Sequence, residues 1–164
     1  MFVRTASERD LSAIRALMIE TWHATYDAIY GPERVAEITD EWHSVAALKA
    51  RLTRPSSEFL VADDGKEIAG MAFAASSTTD SATLVLHQLY VRPSRHGQGI
   101  GGMLIKEIEG CFPAARKIRL EVEEANVPAV RFYQAHGFVE TGRTANCGAE
   151  QSGIPALVYE KSLI

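Results

Sequence analysis

The chain has 164 residues, enough to bury one core and too few for a second full domain. Hydrophobic residues make up 46% and charged residues 23%, a globular balance, and a formal net charge of -4 excludes nucleic acid as the main partner. The amino terminus lacks the apolar core of a signal peptide, and no run approaches the roughly 18 apolar residues of a membrane span.

Residues 2–5 read as a first strand, and Ser7 with Asp10 three positions on is a helix-start signal. Apolar residues then recur at Leu11, Ile14, Leu17, Met18 and Trp22, a helical spacing that carries the helix to about Tyr26. Gly31-Pro32 punctuates, and a second helix is predicted over 33–52 on Val35, Ile38, Trp42, Val45 and Leu48. Apolar runs at 59–62 and 68–73 flank Asp63-Asp64-Gly65-Lys66, a hairpin signal. Residues 82–91, apolar over most of their length, predict a fourth strand interior to the sheet, ended by Arg92-Pro93. A helix over 98–110, a strand over 117–122, a helix over 127–136 with Gly137 at its C-cap, and strands over 138–144 and 155–161 complete the order. The expectation is a single mixed α/β domain over 1–164. Cys111 and Cys147 lie far apart, with no spacing suited to zinc, and read as free thiols of a reducing cytoplasm.

His96-Gly97-Gln98-Gly99-Ile100-Gly101-Gly102 opens a predicted helix. First-turn amides lack intrahelical partners and the helix dipole adds partial positive charge, so a phosphate fits there. Small residues let it approach the backbone, and Arg92, Arg95 and His96 bring local positive charge to an acidic protein. The alternative is that the glycines only make a tight turn. A dinucleotide site is a third reading, because Gly97, Gly99 and Gly102 satisfy GxGxxG with Glu121 or Glu123 about 20 residues on. Against it, Arg92 to His96 separate the turn from its strand, and the chain has no room for a second half of such a fold.

About 25 residues downstream, Asn126, Ala129, Phe132, Tyr133, Gly137 and Phe138 match NxxAxxFYxxxGF in full. The pair of motifs, in this order, resembles the two acyl-coenzyme A signatures of the GNAT superfamily of N-acetyltransferases. The match to Q/RxxGxG/A keeps the glycines but has His96 where Gln or Arg is usual. The resemblance implies a mixed, mostly antiparallel sheet of about seven strands flanked by about four helices. It implies acetyl-CoA as co-substrate, an amine-bearing acceptor and no metal, and it leaves a homodimer open. By the same resemblance the Leu89, Tyr90 and Val91 backbone pairs with the pantetheine arm as an added strand does. The resemblance further implies that Asn126 contacts the cofactor, with Ala129 keeping a helix face thin beside it, and that Tyr133 protonates the departing thiolate. A half-buried core tyrosine is the structural alternative for Tyr133.

A lysine amine with pKa about 10.4 is neutral roughly once in 2,500 molecules at pH 7, and an α-amine near 8 about once in ten, so a base matters most for lysine-like acceptors. Leu120-Glu121-Val122 followed by Asn126 and Tyr133 resembles the subfamily that acetylates the N-terminal amine of a ribosomal protein, which makes Glu121 the first base candidate. Its alternative is a polar strand face, since Arg119, Glu121 and Glu123 alternate with Ile118, Leu120 and Val122. His87, late in the fourth strand, is the second candidate. Gln88 holds a position often acidic in relatives and cannot serve as a base, which leaves water as a third route. Acceptor specificity is expected from residues 22–41 and the loop 146–153. Trp22, Tyr26, Tyr30 and Trp42 are candidates to line an acceptor pocket, with a core role the stronger reading for Trp22. A module that binds acyl-CoA without transferring the acyl group is the rival function.

Overall fold

The computed structural model describes residues 1–147 and 153–164. Seven strands form one mixed sheet: β1 (Phe2–Thr5), β2 (Ser57–Asp63), β3 (Ile68–Ser76), β4 (Thr83–Val91), β5 (Lys117–Val122), β6 (Val139–Thr144) and β7 (Ala156–Ser162), in the order β1-β2-β3-β4-β5-β7-β6. β1/β2, β5/β7 and β6/β7 pair antiparallel, while β4 and β5 run parallel over Thr83–Lys117 to Val85–Arg119. The helices are α1 (Leu11–Tyr30), α2 (Pro32–Trp42), α3 (Val45–Leu52), α4 (Ile100–Cys111) and α5 (Val127–Ala135). Two compact units divide the chain, residues 1–74 with 88–111 and residues 75–87 with 112–164.

In the first unit, the Ser7–Asp10 signal is a capping box, with Asp10 Oδ2 accepting from Ser7 N at 2.8 Å and from Ser7 Oγ at 3.0 Å. Arg4 closes on both Asp10 oxygens at 2.8 and 2.9 Å and holds that carboxyl well below the usual carboxylate range. α1 runs four residues past the expected Tyr26, to Tyr30, where Gly31 at φ +85° ends it. Its buried stripe is Leu11, Ile14, Leu17, Met18, Trp22 and Tyr26. Ile14, Leu17 and Met18 are fully buried, each worth about 1.5–3 kcal/mol of transfer free energy.

The predicted helix over 33–52 is two helices. His43 leaves helical geometry, and Ser44 restarts the chain as an N-cap, its side chain accepting from Ala47 N at 3.1 Å. Arg51 donates to Trp42 O at 2.7 Å and Arg15 to His43 O at 3.1 Å, which satisfies carbonyls freed at the break. The β2–β3 turn is held by Asp63 and Asp64 side chains accepting from the amides of Gly65, Lys66 and Glu67, with Gly65 at φ +92°. β3 is buried along eight successive residues. At Gly70 an added Cβ would stand 3.0 Å from Tyr90 O and 3.2 Å from side chains of Ile100 and Leu104, so a larger residue would push β4 and α4 away from β3.

In the second unit β5 alternates strictly, with Ile118, Leu120 and Val122 buried and Lys117, Arg119 and Glu121 exposed. β4 lies between β3 and β5, interior to the sheet as expected, and its side chains are buried at Thr83, Leu84 and Leu86, exposed at His87 and half-buried beyond. β6 pairs with β7 through a bulge between Glu140 and Gly142.

Candidate active site

The turn between β4 and α4 belongs to the first unit. A 3-10 turn over Pro93–Arg95 intervenes, then Gly97 and Gly99 take φ of +78° and +79°, a region that costs other residues strain. Nothing lies within 4 Å of a Cβ built on either glycine. The first bond of α4 is from Met103 N to Gly99 O at 3.1 Å, which leaves the Ile100, Gly101 and Gly102 amides without intrahelical acceptors. Open space beside the glycines and three such amides at one helix start suit an anionic oxygen cluster.

The expected side-chain contribution is different. Arg92 pairs with Glu20 and lies 3.8 Å from Glu67, while Arg95 donates to Asp64 at 2.9 Å, to Glu67 at 3.1 Å and to Gln98 Oε1 at 3.1 Å. Their charge is largely spent on neighbouring carboxylates. His96 turns back, its Nε2–H donating to the Val91 carbonyl at 2.8 Å, and so braces the turn against β4. In this unit the backbone is better disposed than the side chains to hold a phosphate.

Also in the first unit, Trp22 Nε1 donates to Tyr90 Oη at 3.0 Å and His43 Nε2 lies 3.4 Å from the same oxygen. Arg51 contacts His43 Nδ1 at 3.3 Å. Burial, reinforced by Arg51, pushes the His43 imidazole down to about 3 and keeps it neutral, and burial also lowers Arg51. Trp22, only 4% exposed, is a core residue with a polar tip, in keeping with the reading for it, and it packs tilted against Tyr26 and edge to face on Trp42 at centroid distances of 4.6 and 5.7 Å. A further pair escaped sequence reasoning: His23 Nδ1 lies 2.6 Å from Asp27 Oδ1, one turn on from Glu20 along α1.

The second unit carries the other motif. Asn126 caps α5, its Oδ1 accepting from Ala129 N at 3.3 Å. At the far end Gly137, at φ +89°, donates to Gln134 O at 3.1 Å, and Phe138 N donates to Tyr133 O at 3.0 Å. This is a Schellman closure, and the ring contact that usually accompanies it is Tyr133 against Phe138, centroids 5.5 Å apart. Tyr133 is 9% exposed, with Phe132 on another side at 5.3 Å.

Glu121 stands on the exposed face of β5, and the Cys147 thiol hydrogen-bonds to it. Burial, with Glu121 and Glu123 close by, pushes that thiol up to about 12. Glu123 breaks the alternation and is buried. Both cysteines are free thiols. His87 is exposed at the end of this unit's share of β4. A cleft of about 470 Å³ lined by Asp80, Thr83, Arg116, Lys117, Glu160 and Lys161 contains none of the predicted site residues. Within the loop 146–153, residues 148–152 lie outside the described residues. Among the described residues no helix is long and apolar enough to cross a membrane.

The structure thus gathers Leu89, Tyr90, Val91 and the turn from His96 to Gly102 in one unit, and Glu121, Asn126, Ala129 and Tyr133 in the other, where His87 also lies. The family model described as an acetyltransferase (GNAT) domain matches residues 26–163. An uncharacterized N-acetyltransferase of Mycobacterium tuberculosis is 28% identical over 154 residues, 92% of this chain and 97% of the relative. The fold is shared with the PaiA N-acetyltransferase of Thermoplasma acidophilum, solved in complex with coenzyme A, at a TM-score of 0.85 and 23% identity over 98% of each chain. A ribosomal-protein-alanine N-acetyltransferase of Brucella melitensis superposes with a TM-score of 0.71 at 24% identity, over 99% of this chain and 100% of that one.

Proposed function

We propose that this chain, which belongs to the acetyltransferase (GNAT) domain family, transfers the acetyl group of acetyl-CoA to a primary amine, of a small molecule or a peptide N-terminus, by direct attack on the thioester. The observation that carries the cofactor half is the α4 start, where amides of Ile100, Gly101 and Gly102 lack intrahelical acceptors beside two glycines with open space. Those amides would hold the pyrophosphate. The Leu89–Val91 backbone, which follows the residues of β4 registered with β5, would pair with the pantetheine arm. Bound there, acetyl-CoA supplies an activated acyl group that needs no further activation by the protein.

What remains for the side chains is proton management. Tyr133 would give its proton to the departing thiolate. Glu121 would take the proton of the amine, with His87 or water as the other routes. We read residues 1–164 as one working domain in the cytoplasm.

Saturation with acetyl-CoA at ~100 times its dissociation constant adds roughly 2.7 kcal/mol, so the melting temperature should rise by about 5–10 °C, with NADH and ATP doing far less. An equal shift with NADH would return the dinucleotide reading. Turnover is then sought on peptide N-termini, polyamines, aminoglycosides and amino acids. Tight acetyl-CoA binding with no turnover on any of them would leave an acyl-CoA-binding module.

A further inference from the structure

Side chains alternate along β4, so Gln88 and Tyr90 share a face, and Tyr90 packs there against the core of the first unit. The Tyr90 hydroxyl is fixed by its neighbours. A guanidinium can only donate, so Arg51 makes His43 Nδ1 an acceptor, and the neutral ring keeps its single N–H on Nε2. That N–H points at Tyr90 Oη, which also receives the Trp22 indole N–H. Two residues earlier on the same face, Gln88 Oε1 is buried and accepts no hydrogen bond from any described residue. Buried acceptors left without a donor are uncommon in native folds and destabilising where they occur.

We infer that Gln88 Oε1 is the hydrogen-bond acceptor for an N–H of the acceptor amine. The inference rests on the transferase reading above. It explains why an amide oxygen is left unsatisfied immediately before Leu89, in the strand assigned to the acyl donor. A primary amine brings the missing N–H and keeps its lone pair for the attack. A neutral carbonyl attracts an ammonium less than a carboxylate would, and the Arg51 charge stands only two hydrogen bonds from the Tyr90 hydroxyl. Gln88 therefore receives the amine in its uncharged, nucleophilic form. Gln88 binds and orients it, and removal of the proton belongs to another group.

The test compares Gln88→Met, which keeps the length of the side chain but not the acceptor, with Gln88→Glu, which keeps an oxygen there, in the full chain. Without ligand, Gln88→Met should melt a few degrees above the parent, because an orphaned polar atom is removed. On whichever amine of the panel the parent acetylates, its KM for the amine should rise about tenfold, one hydrogen bond's worth, with acetyl-CoA affinity within about twofold. Gln88→Glu should bring the amine KM back toward the parent value. A Gln88→Met protein that melts lower than the parent overturns the inference, since the oxygen then has a partner inside the fold. An unchanged amine KM in Gln88→Met, with the parent active, overturns it alone. A parent that acetylates none of the panel sinks the transferase reading and this inference together.

Discussion

The turn before α4 and the helix α5 carry the two motifs, and they use their residues differently. In α5 Asn126 caps one end, Gly137 and Phe138 close the other, and Tyr133 packs on Phe138 to seal the closure. Most of NxxAxxFYxxxGF is thus accounted for by a short helix capped at both ends, without any ligand. The turn is the reverse case. Gly97 and Gly99 are required by positive φ, yet the space beside them is open and the amides after them have no intrahelical acceptor. A motif can identify a family through residues that hold the fold, while a less distinctive one leaves backbone amides beside open space.

Substitutions can break that contrast. The largest effect is expected for Gly99→Val, which should weaken acetyl-CoA binding by roughly a hundredfold or more in calorimetry, through backbone strain and a blocked approach to the amides. Next comes Tyr133→Phe, which should lower kcat by about a hundredfold while leaving acetyl-CoA affinity nearly intact, because only its hydroxyl goes beyond the helix closure. Equal losses of affinity and kcat in that variant would mean that the hydroxyl holds the cofactor rather than only supplying a proton.

Gly137→Ala should cost about 1–2 kcal/mol of stability, read from urea unfolding, with acetyl-CoA affinity changed less than about threefold. A large affinity loss there would erase the distinction between the two motifs. Acid tests the first unit separately. His43 takes a proton near its ordinary 6.5 when unfolded but only near 3 when folded, so between those values the unfolded chain holds more protons. Stability should fall as the pH drops through that window, by up to about 1.4 kcal/mol per unit, and His43→Gln should flatten this part of the profile. The smallest effect is expected for His96→Ala, roughly a threefold loss of acetyl-CoA affinity, since its ring braces Val91 O rather than facing the open side of the turn. A greater loss than for Gly99→Val would return phosphate binding to the side chain.

The sequence made local devices legible: the capping box at Ser7, the Asp-Gly hairpin, the alternation of β5 and the C-cap of α5 each lie within a few residues. The break at His43–Ser44 was also locally signalled, by a serine ahead of an apolar turn, but the apolar spacing of 33–52 masked it. What could not be read was pairing over distance. Arg92 and Arg95 looked like free positive charge because Glu20, Asp64 and Glu67, which neutralise them, are remote in the chain. Glu121 gave no hint of Cys147, and whether Gln88 is satisfied is a property of three-dimensional packing alone.

The indole of Trp22 donates to the hydroxyl of Tyr90, a residue of the strand that precedes the glycine turn. The only other tryptophan of the chain, Trp42, stands edge to face with it. Tryptophan emission from this protein therefore originates at one place, and its colour depends on a hydrogen bond to β4. A ligand that shifts the Tyr90 hydroxyl alters that light directly, whereas an event confined to the Tyr133 helix leaves it unchanged, so an unlabelled sample reports on the two motifs unequally.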